Sequence, residues 1–244
     1  MDYKYPTPQL LFKAICNAIR SKTGNSDEIP HQNIPDELDS IIVIDEEEYN
    51  IEMQRFIDII EGTSFINDRI TTVKSSLFRY CTNLTTINLP ECTSIESEAF
   101  SNCTNLTIVN LPKCTYIECE AFRYCTNLTT VNLPKCTSIK SEVFNSCTSL
   151  TTVNLPKCTY IESEAFIACT NLTTIILSNN QIVTLENVSV FDYSSIRNNG
   201  VGYVYVPDNL VDSYKTANSW STYANQIKPI SELPSNLKEE YGYD

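Results

Sequence analysis

A 22-residue period leaves this chain less conformational choice than any other feature of its sequence. The segments NLPECTSIESEAFSNCTNLT, NLPKCTYIECEAFRYCTNLT, NLPKCTSIKSEVFNSCTSLT and NLPKCTYIESEAFIACTNLT follow one another without insertion or deletion. Phe78, Phe100, Phe122, Phe144 and Phe166 fall on one column, and Leu84, Leu106, Leu128, Leu150 and Leu172 on a second. Leu89, Leu111, Leu133, Leu155 and Leu177 form a third. A unit this short cannot bury its apolar face alone. Stacking identical units buries one continuous core, so the period dictates a solenoid.

Each unit contains L-x-x-(I/V)-x-L, as in Leu128-Thr-Thr-Val131-Asn-Leu133. Alternation directs Val131 and Leu133 inward and Thr130 and Asn132 outward, and the β-branched run suits a short strand. Proline at 90, 112, 134 and 156 lacks the N–H a ladder needs, so it ends each strand and turns the chain. The return half, with Ile117, Ala121 and Phe122 in one unit, supplies the opposite wall of the core. Successive units then stack at about 4.8 Å as a parallel sheet.

Across residues 78–178 the unit reads C/S-x-x-L-x-x-(I/V)-x-L-P…I-x-x-x-A-F-x-x-C, which resembles the BspA-like class of leucine-rich repeats. The resemblance implies an α/β-type repeat solenoid, a right-handed coil with a short-strand parallel sheet. It also implies binding rather than a reaction, since the class occurs on bacterial surface adhesins, on surface proteins of some protists and in phage and prophage proteins.

The expected organisation is a helical docking or capping module over residues 1–55, a solenoid over 56–193 and a C-terminal cap and tail over 194–244. Within the solenoid, 56–83 reads as a worn first unit, with Phe56, Ile59, Phe65, Ile70 and Val73 on core columns and Gly62 and Asn67 in place of leucines. Regular units fill 84–171. Residues 172–193 decay again, with Asn180 on a cysteine column and Val188 on the phenylalanine column. Tyr203-Val-Tyr-Val206 reads as a last strand, Asp208 as the N-cap of a helix to about Lys215, and Trp220 as a plug for the core end. The closing segment YVPDNLVDSYKTANSWSTYANQIKPI resembles one found behind such repeats, completing a C-terminal strand-helix cap.

Near the amino terminus, Leu11, Phe12, Ile15 and Ile19 recur at helical spacing before Gly24. The string A-I-R-S-K-T-G-x-S-D-x-I…I-P-x-E-L-x-S-I resembles short N-terminal modules of phage and prophage tail-associated proteins, and a plain helical cap on the solenoid explains it equally well. MDYKYPTPQLLFKAICNAIR lacks a basic n-region, an apolar h-region and a small-residue cleavage site, so it does not read as a secretory signal.

The net charge is −13. Residues 1–61 carry 13 acidic and 5 basic side chains, and the regular units 8 and 5. Such a surface repels phosphate, which disfavours nucleic acid and an anionic membrane surface. No run of about 18 apolar residues is present, so no membrane insertion is expected.

Chemistry finds little purchase. Nine cysteines recur every 11 residues from Cys81 to Cys169, in two columns half a coil apart. No C-x-x-C pair converges on a metal, and His31 is the lone histidine, so neither metal nor cofactor is expected. In-register side chains hold Cβ atoms near 4.8 Å, beyond the roughly 3.8 Å of a disulfide, so the columns read as buried thiols. Cys119, standing where other units have serine, reads as the exposed thiol. The glutamates of columns 96/118/162 and 98/120/142/164 form a solvated ladder rather than an isolated catalytic pair. Asn83, Asn105, Asn127 and Asn171, each within Asn-Leu-Thr, read as turn residues whose side chains cap backbone groups, and Asn187 completes a fifth such sequon.

The expectation is therefore a non-catalytic binding or structural protein. One form is a phage or prophage particle component, made in a bacterial cytoplasm, with Leu11, Phe12, Ile15 and Ile19 docking to other phage structural proteins. The alternative is a bacterial cell-surface adhesin of the BspA-like class, and a distant one a polysaccharide-processing enzyme. The expected ligand is a host-surface glycan or protein, and a homo-oligomer is open. The candidate contact stripe is the outward strand positions Thr86, Asn88, Ile108, Asn110, Thr130, Asn132, Thr152 and Asn154, short polar groups that cost little entropy to order. A rival edge carries Tyr116 and Tyr160, with Tyr80 and Tyr124 nearby.

Overall fold

The computed structural model describes residues 64–198 and 200–243, which lie in one compact unit spanning 64–244. Expectations for residues 1–63, including the docking helix with Leu11, Phe12, Ile15 and Ile19, the 55/56 boundary and the columns at Phe56, Ile59 and Gly62, lie outside the described residues.

Each unit contributes two short strands. The leucine-rich halves form β1 (Ser64–Ile66), β3 (Thr86–Asn88), β5 (Ile108–Asn110), β7 (Thr130–Asn132), β9 (Thr152–Asn154) and β11 (Thr174–Ile176). The return halves form the two-residue strands β2 (Thr72–Val73), β4 (Ser94–Ile95), β6 (Tyr116–Ile117), β8 (Ser138–Ile139), β10 (Tyr160–Ile161) and β12 (Thr184–Leu185). Pairing is parallel and in register, Val131 beside Val153 and Ile139 beside Ile161. Both walls are divided at the same step. On one, β1-β3-β5 is separate from a five-stranded sheet that begins at β7; on the other, β2-β4-β6 is separate from β8-β10-β12. At this seam Val109 alone among the inward strand positions is half-buried.

Between the walls the phenylalanines stack nearly parallel, their centroids 5.1 Å apart at Phe78–Phe100 and 5.5 Å at Phe144–Phe166. Beside them stand the cysteines. Cys103, Cys125, Cys147 and Cys169 donate to the carbonyls of Phe78, Phe100, Phe122 and Phe144 at 3.0–3.2 Å. Cys92, Cys114, Cys136 and Cys158 donate within their own coil, two residues onward. These eight thiols are buried and free, whereas Cys81 is only half-buried.

Two non-glycine residues per unit adopt left-handed backbone, one at Ser76, Glu98, Glu120, Glu142 and Glu164, the other at Tyr80, Asn102, Tyr124, Ser146 and Ala168. Each such residue costs about 1 kcal/mol. The stacking offsets the cost, because the amide turned outward there finds a carbonyl in the next coil. Examples are Asn102 N to Arg123 O at 2.7 Å and Ala168 N to Asp192 O at 2.8 Å.

The worn ends depart from the expected columns. Asn67, on a leucine column, is buried and accepts from the amides of Arg69 and Ile70, so it turns the chain with its side chain. At the other end, Leu185 pairs with Ile161 after 24 residues rather than 22. The added residues move Phe191, not Val188, onto the phenylalanine column, where its ring stacks 5.8 Å from Phe166. Val188 is exposed.

The cap continues the coil. After α1 (Ser195–Asn198), Gly202 passes so close to Leu172 that a Cβ there would meet its carbonyl at 2.7 Å. β13 (Tyr203–Val206) then pairs with β11. It is not the last strand, because β14 (Ile227–Pro229) adds outside it with proline at the edge. Asp208 is not a helix N-cap. It heads a 3₁₀ turn, its carboxylate accepts from the Ser231 amide, and α2 starts only at Val211 (Val211–Thr216). Trp220 does close the core, 1% exposed, donating to Val183 O at 2.6 Å beside Phe191, Tyr214 and Tyr223.

Candidate ligand-binding face

The outward strand positions form two columns. One runs Ser64, Thr86, Ile108, Thr130, Thr152, Thr174 and Tyr203; the other runs Ile66, Asn88, Asn110, Asn132, Asn154, Ile176 and Tyr205. The asparagines face one another across the strands. Asn110 Nδ2 donates to Asn88 Oδ1 at 2.7 Å, and Asn154 Nδ2 donates to Asn132 Oδ1 at 3.0 Å. The link between Asn132 and Asn110 is missing, and the gap falls at the seam between β5 and β7. Among the described residues this leaves an amide donor on Asn132 and an acceptor oxygen on Asn110 without a partner, one on each side of the seam, both residues exposed, with Ile108 in β5 at 56% exposure.

The face does not stay open along its length. Thr152 and Asn154, expected on the contact stripe, are 7% and 4% exposed. The C-terminal segment lies over them. Leu233 packs with Ile176 and Tyr205, and Ile230, Leu237, Tyr241, Tyr243 and Tyr203 gather around this cluster. Tyr243 donates its hydroxyl to Asn154 Oδ1 at 2.8 Å and lies 2.9 Å from Ser178 Oγ. Sequence reasoning missed this cover, although the pattern Leu233…Leu237…Tyr241 at helical spacing carried the signal. The available stripe therefore runs over Thr86, Asn88, Ile108, Asn110, Thr130 and Asn132.

The tyrosine edge is differently furnished. Tyr116 is 40% exposed and donates to Glu118 Oε1 at 2.9 Å, while Tyr160 is half-buried. Arg79 and Arg123 lie over the rings of Tyr80 and Tyr124, 5.0 and 4.9 Å from their centroids. The same arginines pair with Glu98 and with Glu120 and Glu142. Tyr80 and Tyr124 stand at left-handed positions, and Tyr124 keeps 38% exposure. Asn105 and Asn171 donate to carbonyls of the preceding coil, as expected of turn residues, and Asn127 to the Asn105 side chain.

Cys119 is half-buried rather than exposed, and burial raises its thiol above the usual range, so it is no activated nucleophile. Among the described residues no cluster of His, Cys, Asp or Glu has the makings of a metal site, and no helix is long and apolar enough to cross a membrane.

Solved structures with similar coils include a leucine rich cell surface protein of Faecalibacterium prausnitzii, 31% identical with a TM-score of 0.49. That match covers 56% of this chain, which spans only 36% of the F. prausnitzii chain. A Treponema pallidum leucine rich repeat protein is 24% identical over 63% of this chain and 82% of its own, with a TM-score of 0.47. A Eubacterium ventriosum leucine-rich repeat protein is 21% identical over 54% of this chain and 42% of its own, with a TM-score of 0.40. Among curated proteins none matches. These matches lend no support to a phage or prophage component, and the N-terminal string that suggested one precedes the family match. That match, to six copies of the BspA type leucine rich repeat region over residues 49–172 and 93–221, covers more than half of the sequence, and the chain belongs to this family.

Proposed function

We propose that this chain is a non-catalytic binding module of the surface-adhesin type, and that it engages its ligand through the open part of its outward sheet face. The single observation that carries the reading is the stripe Thr86, Asn88, Ile108, Asn110, Thr130 and Asn132. It presents a donor and an acceptor with no partner among the described residues, together with an exposed isoleucine, on short strands either side of the seam between β5 and β7. Rigid short side chains lose little entropy on binding. Placement at a bacterial cell surface is the reading favoured by the surface adhesins that carry this repeat class, and nothing in the family match favours a virion.

A solid-phase panel of immobilised polysaccharides and fibrous extracellular polypeptides tests the proposal, with Asn110→Asp/Asn132→Asp as the lesion. The expected result is retention of at least one panel member by the natural chain and a loss of about tenfold or more in the double variant, the scale of disrupted interface hydrogen bonds. Unchanged retention by a folded double variant would remove the sheet face as the site.

A further inference from the structure

The sheet face already holds an occupant over β9 and β11, and that occupant is polypeptide. Where the tail covers β9 and β11, a tyrosine hydroxyl donates to an asparagine oxygen, with a second polar group, Ser178 Oγ, 2.9 Å away. Its flanking surface is apolar, made by Ile176 and Tyr205. The open stretch offers comparable groups in a different arrangement: Asn110 and Asn132 share the column of Asn154, while the apolar neighbour Ile108 stands in the adjoining column rather than in that of Ile176 and Tyr205. Asn110 Oδ1 can accept, Asn132 Nδ2 can donate, and Ile108 supplies the apolar neighbour. A phenolic hydroxyl is both donor and acceptor, and its ring favours an apolar flank. It therefore closes the gap in the amide ladder at the seam in one contact.

Resting on the sheet-face reading above, we propose that the site at Asn110, Asn132 and Ile108 binds a polypeptide partner through a tyrosine side chain, as the chain's own Tyr243 binds Asn154. The tail is then an internal example of the ligand. It also sets the far limit of the site, because a tethered segment outcompetes a free one for Asn154. Helix α3 (Ser235–Tyr241) has no fully buried residue. Its hold is the half-buried Leu237, Tyr241 and Tyr243 together with the hydroxyl contact, which is the scale of contact a short peptide can reproduce.

The test uses the unaltered full chain and three probes: a synthetic peptide PSNLKEEYGY matching residues 234–243, the same peptide with phenylalanine for both tyrosines, and cellohexaose. Side-chain amide resonances of the asparagines are followed by NMR, which detects weak binding and locates it. The peptide is expected to shift Asn110 and Asn132 and leave Asn154 unmoved. The phenylalanine version should bind about fivefold more weakly, the effect of one lost hydrogen bond. A shortened chain lacking residues 235–244 should add Asn154 to the shifted set. Absence of shifts with the peptide, equal binding of the phenylalanine version, or shifts with cellohexaose alone would each overturn the tyrosine assignment. The panel experiment separates the two readings: loss of retention in Asn110→Asp/Asn132→Asp alongside a silent peptide sinks only the tyrosine proposal.

Discussion

Burial sets the chemistry of the thiols. Desolvation pushes Cys147 from its ordinary 9.0 up to about 12, Cys136 to about 11, and raises the other six buried thiols as well. A thiol whose folded pKa lies above its unfolded value stabilises the fold fully below the unfolded value. That stability is lost as pH rises toward the folded one. The array should therefore hold its melting temperature up to about pH 8.5 and lose it steeply from pH 9 to 11, by about 1.4 kcal/mol per pH unit for each thiol ionised on unfolding. Thermal unfolding across pH checks this, and a flat profile to pH 11 would mean the thiols are not buried. Phe122, stacked 5.3 Å from Phe100 and 5.7 Å from Phe144, makes the companion case. Phe122→Ala should cost about 3–5 kcal/mol, read by denaturant unfolding. Both columns were legible in the sequence because identical residues recur at one spacing. Cys119 was misread because substitution for a serine says nothing about how deep that serine lies.

At the scale of single elements, the left-handed turns were invisible in the sequence. Glycine usually marks such positions, yet the turns recur on Glu, Tyr, Asn, Ser and Ala, their geometry enforced by bonds from the next coil. Ala168, at φ 57° with a half-buried methyl, isolates the strain. Ala168→Gly should stabilise the fold by about 0.5–1 kcal/mol despite glycine's larger unfolded freedom, measured by the same unfolding titration. A loss of stability would show that the turn carries no strain. The strands themselves were readable from alternation, since one face must be buried. Cap positions were less so: the residues inserted before Leu185 shift the register, and Asp208 is drawn to the Ser231 amide instead of a helix end. Local preference cannot reveal either outcome, because each depends on a contact made far along the chain.

For the whole molecule, periodicity disclosed the solenoid and which residues face outward, but not which of those stay accessible. Accessibility is decided by Tyr243 reaching Asn154 across 89 positions of sequence, a distance no repeat pattern encodes. Among the described residues the result is an outward face that is closed over β9 and β11 and open from β3 to β7. The central claim, that binding occurs on this open face and not on the turn edge, is tested most directly by one paired comparison. Asn132→Arg places a bulky cation on the face, and Asn127→Arg places the same group on the exposed turn edge of the same unit. Dissociation constants of both variants are measured against whichever panel member the natural chain retains, with melting temperatures confirming that both fold. The expected result is a rise of about tenfold or more for Asn132→Arg and a change within about twofold for Asn127→Arg. Equal effects, or a larger loss at Asn127, would contradict the account.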